Sequence, residues 1–155
     1  SQLWKARHNA GFAAVAMRPG ARPWSTDVCV PISQLAACME ATKADLAYAP
    51  FPAVVVGHIG DGNFHAILLL DPNSAEEADA AARFNDVLVA RAIAMDGTCT
   101  GEHGIGLGKR ESLRNELGDG VSLMLDIKHA LDPNGLMNPE KIFVAGLAPD
   151  SRYSL

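Results

Sequence analysis

The spacing of apolar positions divides the chain into helices and strands before any chemistry is considered. Leu3 to Met17 is an alanine-rich run that predicts a helix ending ahead of Pro19-Gly20. A strand is expected at about Asp27 to Pro31, followed by a helix capped by Ser33, in which Leu35, Cys38, Met39, Thr42 and Leu46 recur at helical spacing. Ala53 to His58 and Asn63 to Leu70 read as the two strands of a hairpin. Ile67-Leu68-Leu69-Leu70 is continuously apolar, so the second strand should be covered on both faces. Ser74-Ala75-Glu76-Glu77 is a capping box that opens a long helix with Phe84, Val87, Leu88 and Met95 on its buried stripe, ended by Gly97. A short strand or turn then delivers Glu102 and His103. Two shorter helices are expected at about Lys109 to Leu117 and Val121 to Leu131, the second behind Asp119 as N-cap and stopped by Asp132-Pro133.

This order predicts an α+β, ferredoxin-like domain: an antiparallel sheet with helices packed on one face, plus C-terminal helices, and a functional site on the other face. The 155 residues, 48% of them hydrophobic, suffice for one domain with a real core. A formal net charge of -5 and no basic run longer than Lys109-Arg110 argue against nucleic acid as the main partner. No apolar stretch approaches the ~20 residues of a membrane span, and the first residues do not read as a signal peptide. Cys29, Cys38 and Cys99 are odd in number and lack metal-ligand spacing. They read as reduced thiols in a cytoplasmic compartment.

Chemistry concentrates in Gly57-His58-Ile59-Gly60-Asp61-Gly62-Asn63-Phe64-His65 and Gly101-Glu102-His103-Gly104. Asp61-Gly62 is a two-residue hairpin signal. With that turn, His58 faces His65 directly, with Cβ atoms about 5 Å apart. Two histidines and one carboxylate leave part of a coordination sphere open, as a catalytic metal requires, and Glu102 is the third ligand that completes the set. The series Gly101, Gly104, Gly106, Gly108 is not a nucleotide loop. The P-loop pattern fails at His103 and Arg110, and the dinucleotide pattern fails at Lys109. These glycines instead let the backbone turn sharply, so that Glu102 and His103 serve different tasks.

Trp4-Lys5-Ala6-Arg7-His8-Asn9, Ser25 to Ser33, Gly57 to His65, Thr100 to Gly106 and Leu136-Met137-Asn138-Pro139-Glu140-Lys141 resemble, in order, the C-terminal domain of the FAD-linked 2-hydroxy-acid dehydrogenases, and among them the cytochrome-linked D-lactate branch. The resemblance implies that His58, His65 and Glu102 bind a divalent metal, zinc or manganese, and that His103 is the catalytic base. It further implies that Arg7 binds the substrate carboxylate, Asn63 lines the site and Asn138 approaches the flavin. FAD would be bound mainly by an N-terminal domain, which this sequence does not contain, so residues 1–155 are expected to be a substrate- and metal-binding fragment, inactive alone. The implied partners are a small 2-hydroxy acid and an electron acceptor of the cytochrome c, quinone or electron-transfer flavoprotein type. A homodimer and a peripheral position at the inner membrane are compatible with it. One departure stands out: Glu140 replaces the glycine of the family's Asn-Pro-Gly-Lys.

The residue types agree with oxidation of a hydroxy acid, since a cation lowers the hydroxyl pKa, a histidine takes the proton, and an arginine grips a carboxylate with two prongs. Ser25 stands where relatives acting on 2-hydroxydicarboxylates carry a basic residue. D-lactate-like monocarboxylates are therefore the expected substrates, with Arg22 as the cation that could reverse that expectation from a flexible loop. Two other classes stay open on the residues alone: a free-standing metal-dependent hydrolase, and a noncatalytic ligand-binding or assembly domain.

Overall fold

The computed structural model describes residues 2–143, without the side chains of residues 2, 3 and 5–8. The chain forms two compact units, the first running to Glu102 and the second beginning at His103. The first contains α1 (Gln2–Ala16), β1 (Arg22–Ser25), β2 (Val28–Cys29), α2 (Ile32–Leu46), β3 (Ala53–His58), β4 (Asn63–Leu70) and α3 (Ala75–Ala94). The second contains α4 (Arg110–Leu117) and α5 (Gly120–Leu131).

All strand pairs are antiparallel, with β4 in the centre, β3 along one edge and β1 and β2 along the other. Ser25 opposes Ile67 and Val28 opposes Phe64, so β1 and β2 keep a single register and form one line interrupted at Thr26-Asp27. The first strand thus begins earlier than its sequence suggested and is broken in the middle. Outside β2, Cys29 bridges to Thr98. The lateral order of Thr98, β1/β2, β4 and β3, with α2 and α3 as connections, is the ferredoxin-like β-α-β-β-α-β arrangement with its last strand reduced to a bridge.

The core of this unit lies where Phe64, Ala66 and Leu68 of β4 meet Leu35 and Cys38 of α2 and Ala81, Phe84, Leu88 and Ala92 of α3, all buried. Asn63, His65 and Leu69, on the opposite face of β4, are buried as well, so this strand is covered on both sides as its apolar run predicted. Each large apolar side chain contributes roughly 1.5–3 kcal/mol on burial. That is enough for β4 to hold two polar residues at one end.

Local details follow from single residues. α2 starts at Ile32 behind Pro31, and no side chain caps it. The fixed φ of proline opens the helix, which leaves Ser33 inside the first turn. Ser74 Oγ accepts from the Glu77 N–H at 3.2 Å, as a capping box requires. The Glu77 carboxylate, however, turns to Arg18 at 2.8 and 3.0 Å and to the Asp71 N–H at 2.7 Å. That pairing holds its carboxyl below the usual range. Val87 is 51% exposed, because at 100° per residue it falls about 60° beyond Phe84, outside the arc centred on Ala81 and Ala92. In the second unit Asp119 precedes α5 without a side-chain cap. Asp132 closes that helix, accepting from the Leu136 and Met137 N–H groups at 2.9 and 2.8 Å and pairing with Lys128. Glu140 adopts φ +63°, the left-handed region in which the family's glycine is unstrained.

Candidate metal-binding site

The connection between β3 and β4 determines how the histidines meet, and it differs from the two-residue turn that Asp61-Gly62 suggested. The loop has four residues, 59–62. His58 opposes Asn63, and Val56 opposes His65. The direct pairing of His58 with His65 is thereby corrected. Gly62 is held by the neighbouring strand line rather than by the hairpin: its carbonyl accepts from the Val30 N–H at 3.0 Å, and at φ +77° a Cβ would lie 2.1 Å from Val30 O. Cys29 Sγ also donates to Asp61 O at 3.3 Å. The register moves by two residues, and since side chains alternate with period two, the move leaves every face unchanged. His58, Asn63 and His65 therefore still share one face, the imidazoles standing diagonally with centroids 6.0 Å apart and planes at 89°.

The break in the outer strand orients His65. Thr26 N–H donates to Ala66 O at 3.0 Å, but the return bond runs from Ala66 N–H to Thr26 Oγ1 at 2.8 Å. The hydroxyl replaces the Thr26 carbonyl in the ladder, and that carbonyl lies 2.9 Å from His65 Nδ1. A carbonyl only accepts, so Nδ1 carries a hydrogen and Nε2 is the atom available to a ligand.

Glu102 arrives from the loop that follows the Thr98 bridge. Its Oε1 lies 3.0 Å from His65 Nε2 and 3.4 Å from His58 Nε2. Buried Asp27 anchors that loop, its Oδ2 accepting from Thr100 Oγ1 at 2.7 Å, Gly101 N–H at 2.9 Å and Glu102 N–H at 3.2 Å. A Cβ on Gly101 would come within 2.3 Å of Asn63 Oδ1, so any other residue there would displace the Asn63 amide. That buried oxygen has no hydrogen-bond partner among the described residues.

The donor set fits a divalent cation. The three ligand atoms of His58, His65 and Glu102 lie within 4.8 Å of one another. With bonds of about 2.1 Å, the edges of a tetrahedral zinc site are about 3.4 Å. With its Nδ1 hydrogen directed at Thr26, a neutral His65 would face the carboxylate lone pair to lone pair. A cation held between the two atoms would remove that repulsion.

Of the other residues singled out by sequence, His103 is exposed and opens the second unit. Asn138 lies in that unit at φ +44°. Arg7 has its backbone in α1, and its side chain is outside the described residues. Arg22 sits in β1 opposite Leu70, on the other face of the sheet from His65 and about 17 Å along the strand direction. Ser25 opposes Ile67 and shares the His65 face. None of the three cysteines forms a disulfide. Burial pushes the Cys38 thiol up, as it does Cys29, which the Asp27 and Asp61 carboxylates raise further. Thr26, Asp27 and Thr100 were not identified from sequence. The available signal was a carboxylate inside a valine-rich strand, a residue type that strands disfavour.

Residues 1–142 match the family described as FAD linked oxidases, C-terminal domain, and the chain belongs to it. It is 54% identical over 143 residues to a probable mitochondrial D-lactate dehydrogenase of Danio rerio, covering 92% of this chain and 29% of the relative. A mitochondrial D-lactate dehydrogenase [cytochrome] of Arabidopsis thaliana is 46% identical over 91% of the chain and 25% of its own length. A D-2-hydroxyglutarate dehydrogenase of Xanthomonas citri pv. viticola is 40% identical over 96% of the chain and 32% of its own length. The chain thus spans a quarter to a third of these relatives.

Proposed function

We propose that this chain is the metal- and substrate-binding part of a flavin-dependent dehydrogenase that oxidises a small D-2-hydroxy acid, D-lactate or a close analogue, to the 2-oxo acid. The convergence of His58 Nε2, His65 Nε2 and Glu102 Oε1 carries this reading. When bound, a divalent cation would acidify the substrate hydroxyl and FAD would accept the two electrons. The chain's own residues supply the rest. His58, His65 and Glu102 hold the cation, zinc or manganese, and leave coordination positions for substrate oxygens. Asn63 Oδ1, buried beside them without a partner, accepts a hydrogen bond from the substrate. His103 takes the hydroxyl proton at an imidazole nitrogen. Arg7 would fix the carboxylate by a two-pronged contact, and Asn138 would approach the flavin.

The D-lactate branch is favoured over dicarboxylates by what surrounds His65. No lysine or arginine stands on its face of the described strands, where Ser25, Val54, Val56 and Ile67 are the neighbours. A distal carboxylate there would be desolvated without a partner, a penalty of several kcal/mol. The relatives' names support a mitochondrial setting and a cytochrome as electron acceptor; a quinone or an electron-transfer flavoprotein is the other acceptor that the family resemblance implies. No described helix is long and apolar enough to cross a membrane.

Elemental analysis after dialysis against a metal buffer tests the site. One zinc or manganese ion per chain is expected in the wild type, and His58→Ala, His65→Ala or Glu102→Ala should each weaken binding at least tenfold, about 1.4 kcal/mol or more. Equal retention in all three variants would overturn the assignment.

A further inference from the structure

We propose that Asp27 is the positioning residue of this metal site: its buried carboxylate fixes the 100–102 loop so that Glu102 converges with His58 and His65. The inference rests on the metal reading above. The side chain of Asp27 is 97% buried, and its oxygens are directed at one short stretch of chain, with Oδ2 accepting from Thr100 Oγ1, Gly101 N–H and Glu102 N–H. Oδ1 adds a second contact to the Glu102 N–H at 3.3 Å and lies 3.6 Å from His65 Nδ1.

The need for such an anchor is physical. The Glu102 side chain is 48% exposed, and a glutamate loses substantial rotamer entropy when fixed. Glycine precedes it, which gives the backbone at that point wide conformational freedom. Hydrogen bonds to a charged acceptor are about twice as strong as neutral ones, and three donors within three consecutive residues fix the backbone from which the Glu102 carboxylate extends. The register sets the distance, because Asp27 stands opposite His65 in the interrupted strand line. One carboxylate thus ties the loop bearing the third ligand to the strand pair bearing the second. Asp27 touches the ligands' supports and need not touch the metal.

The test is a double-mutant cycle read as zinc affinity of the 155-residue chain, by competition with a chelating dye, with circular dichroism to verify folding. Asp27→Asn should weaken zinc binding at least tenfold in the wild-type background and less than threefold when Glu102 is already alanine. Thr100→Val removes one donor and leaves the buried charge held by two backbone groups. It should weaken binding a few-fold, and it decides the question if Asp27→Asn does not fold. Cobalt loaded in place of zinc should show an altered visible spectrum in Asp27→Asn, because the carboxylate of Glu102 is displaced. Undiminished affinity in Asp27→Asn, or in Thr100→Val where the first variant is unfolded, would overturn the positioning role. So would equal losses with and without Glu102. A wild-type chain that binds no zinc would overturn the metal reading itself, a distinct outcome.

Discussion

Thr26 shows how one side chain can change what a strand does. Its hydroxyl takes the ladder bond that its carbonyl would ordinarily accept, and the carbonyl turns to His65. Thr26→Val preserves shape but strands the buried Ala66 N–H, an effect of about 1–3 kcal/mol. Thr26→Ser keeps the acceptor and should lose much less. Urea midpoints of the two variants at equal slope measure the difference; a valine variant as stable as the serine one would show that the hydroxyl is dispensable. Residue-scale legibility was uneven for a related reason. His58, His65 and Glu102 are marked by glycine-flanked motifs, whereas the roles of Thr26 and Asp27 emerge only with their partners, some 40 and 75 positions away.

At the level of elements, the termini of helices carry the clearest electrostatics. Asp132, held by Lys128 and by the Met137 and Leu136 N–H groups, has its carboxyl lowered from 3.8 to about 2. A depressed carboxylate stabilises the fold above its unfolded value and loses that contribution as pH falls through the folded one. Asp132→Asn should therefore melt at lower temperature than wild type at neutral pH, with the gap closing between pH about 4 and about 2. A gap that persists unchanged at the acid end would assign the effect to packing rather than charge. The hairpin teaches a complementary lesson. Asp61-Gly62 carries the signature of a two-residue turn, yet a third segment, Cys29 and Val30, takes the Asp61 and Gly62 carbonyls and lengthens the loop. Local propensity was outweighed by hydrogen bonds from outside the hairpin.

For the whole molecule, the proposed function predicts a substrate preference. With Arg22 fixed in β1 on the other face of the sheet and Ser25 beside the His65 face, the flavin-loaded enzyme carrying this chain should show kcat/KM for D-lactate at least tenfold above that for D-2-hydroxyglutarate. The reverse preference would refute the substrate assignment and leave the ligand set standing. The sequence by itself determined the α+β class, the positions of most helices and strands, the double-sided burial of β4 and the choice of His58, His65 and Glu102, whose side chains converge. These are read from periodicity, caps and short motifs, all of them local in the chain. Only the tertiary structure decided the hairpin register, the break at Thr26-Asp27 and the anchoring of the Glu102 loop, and only it placed Arg22 away from the site. Each of these depends on which distant backbone group competes for a hydrogen bond, and that competition has no expression in local patterning.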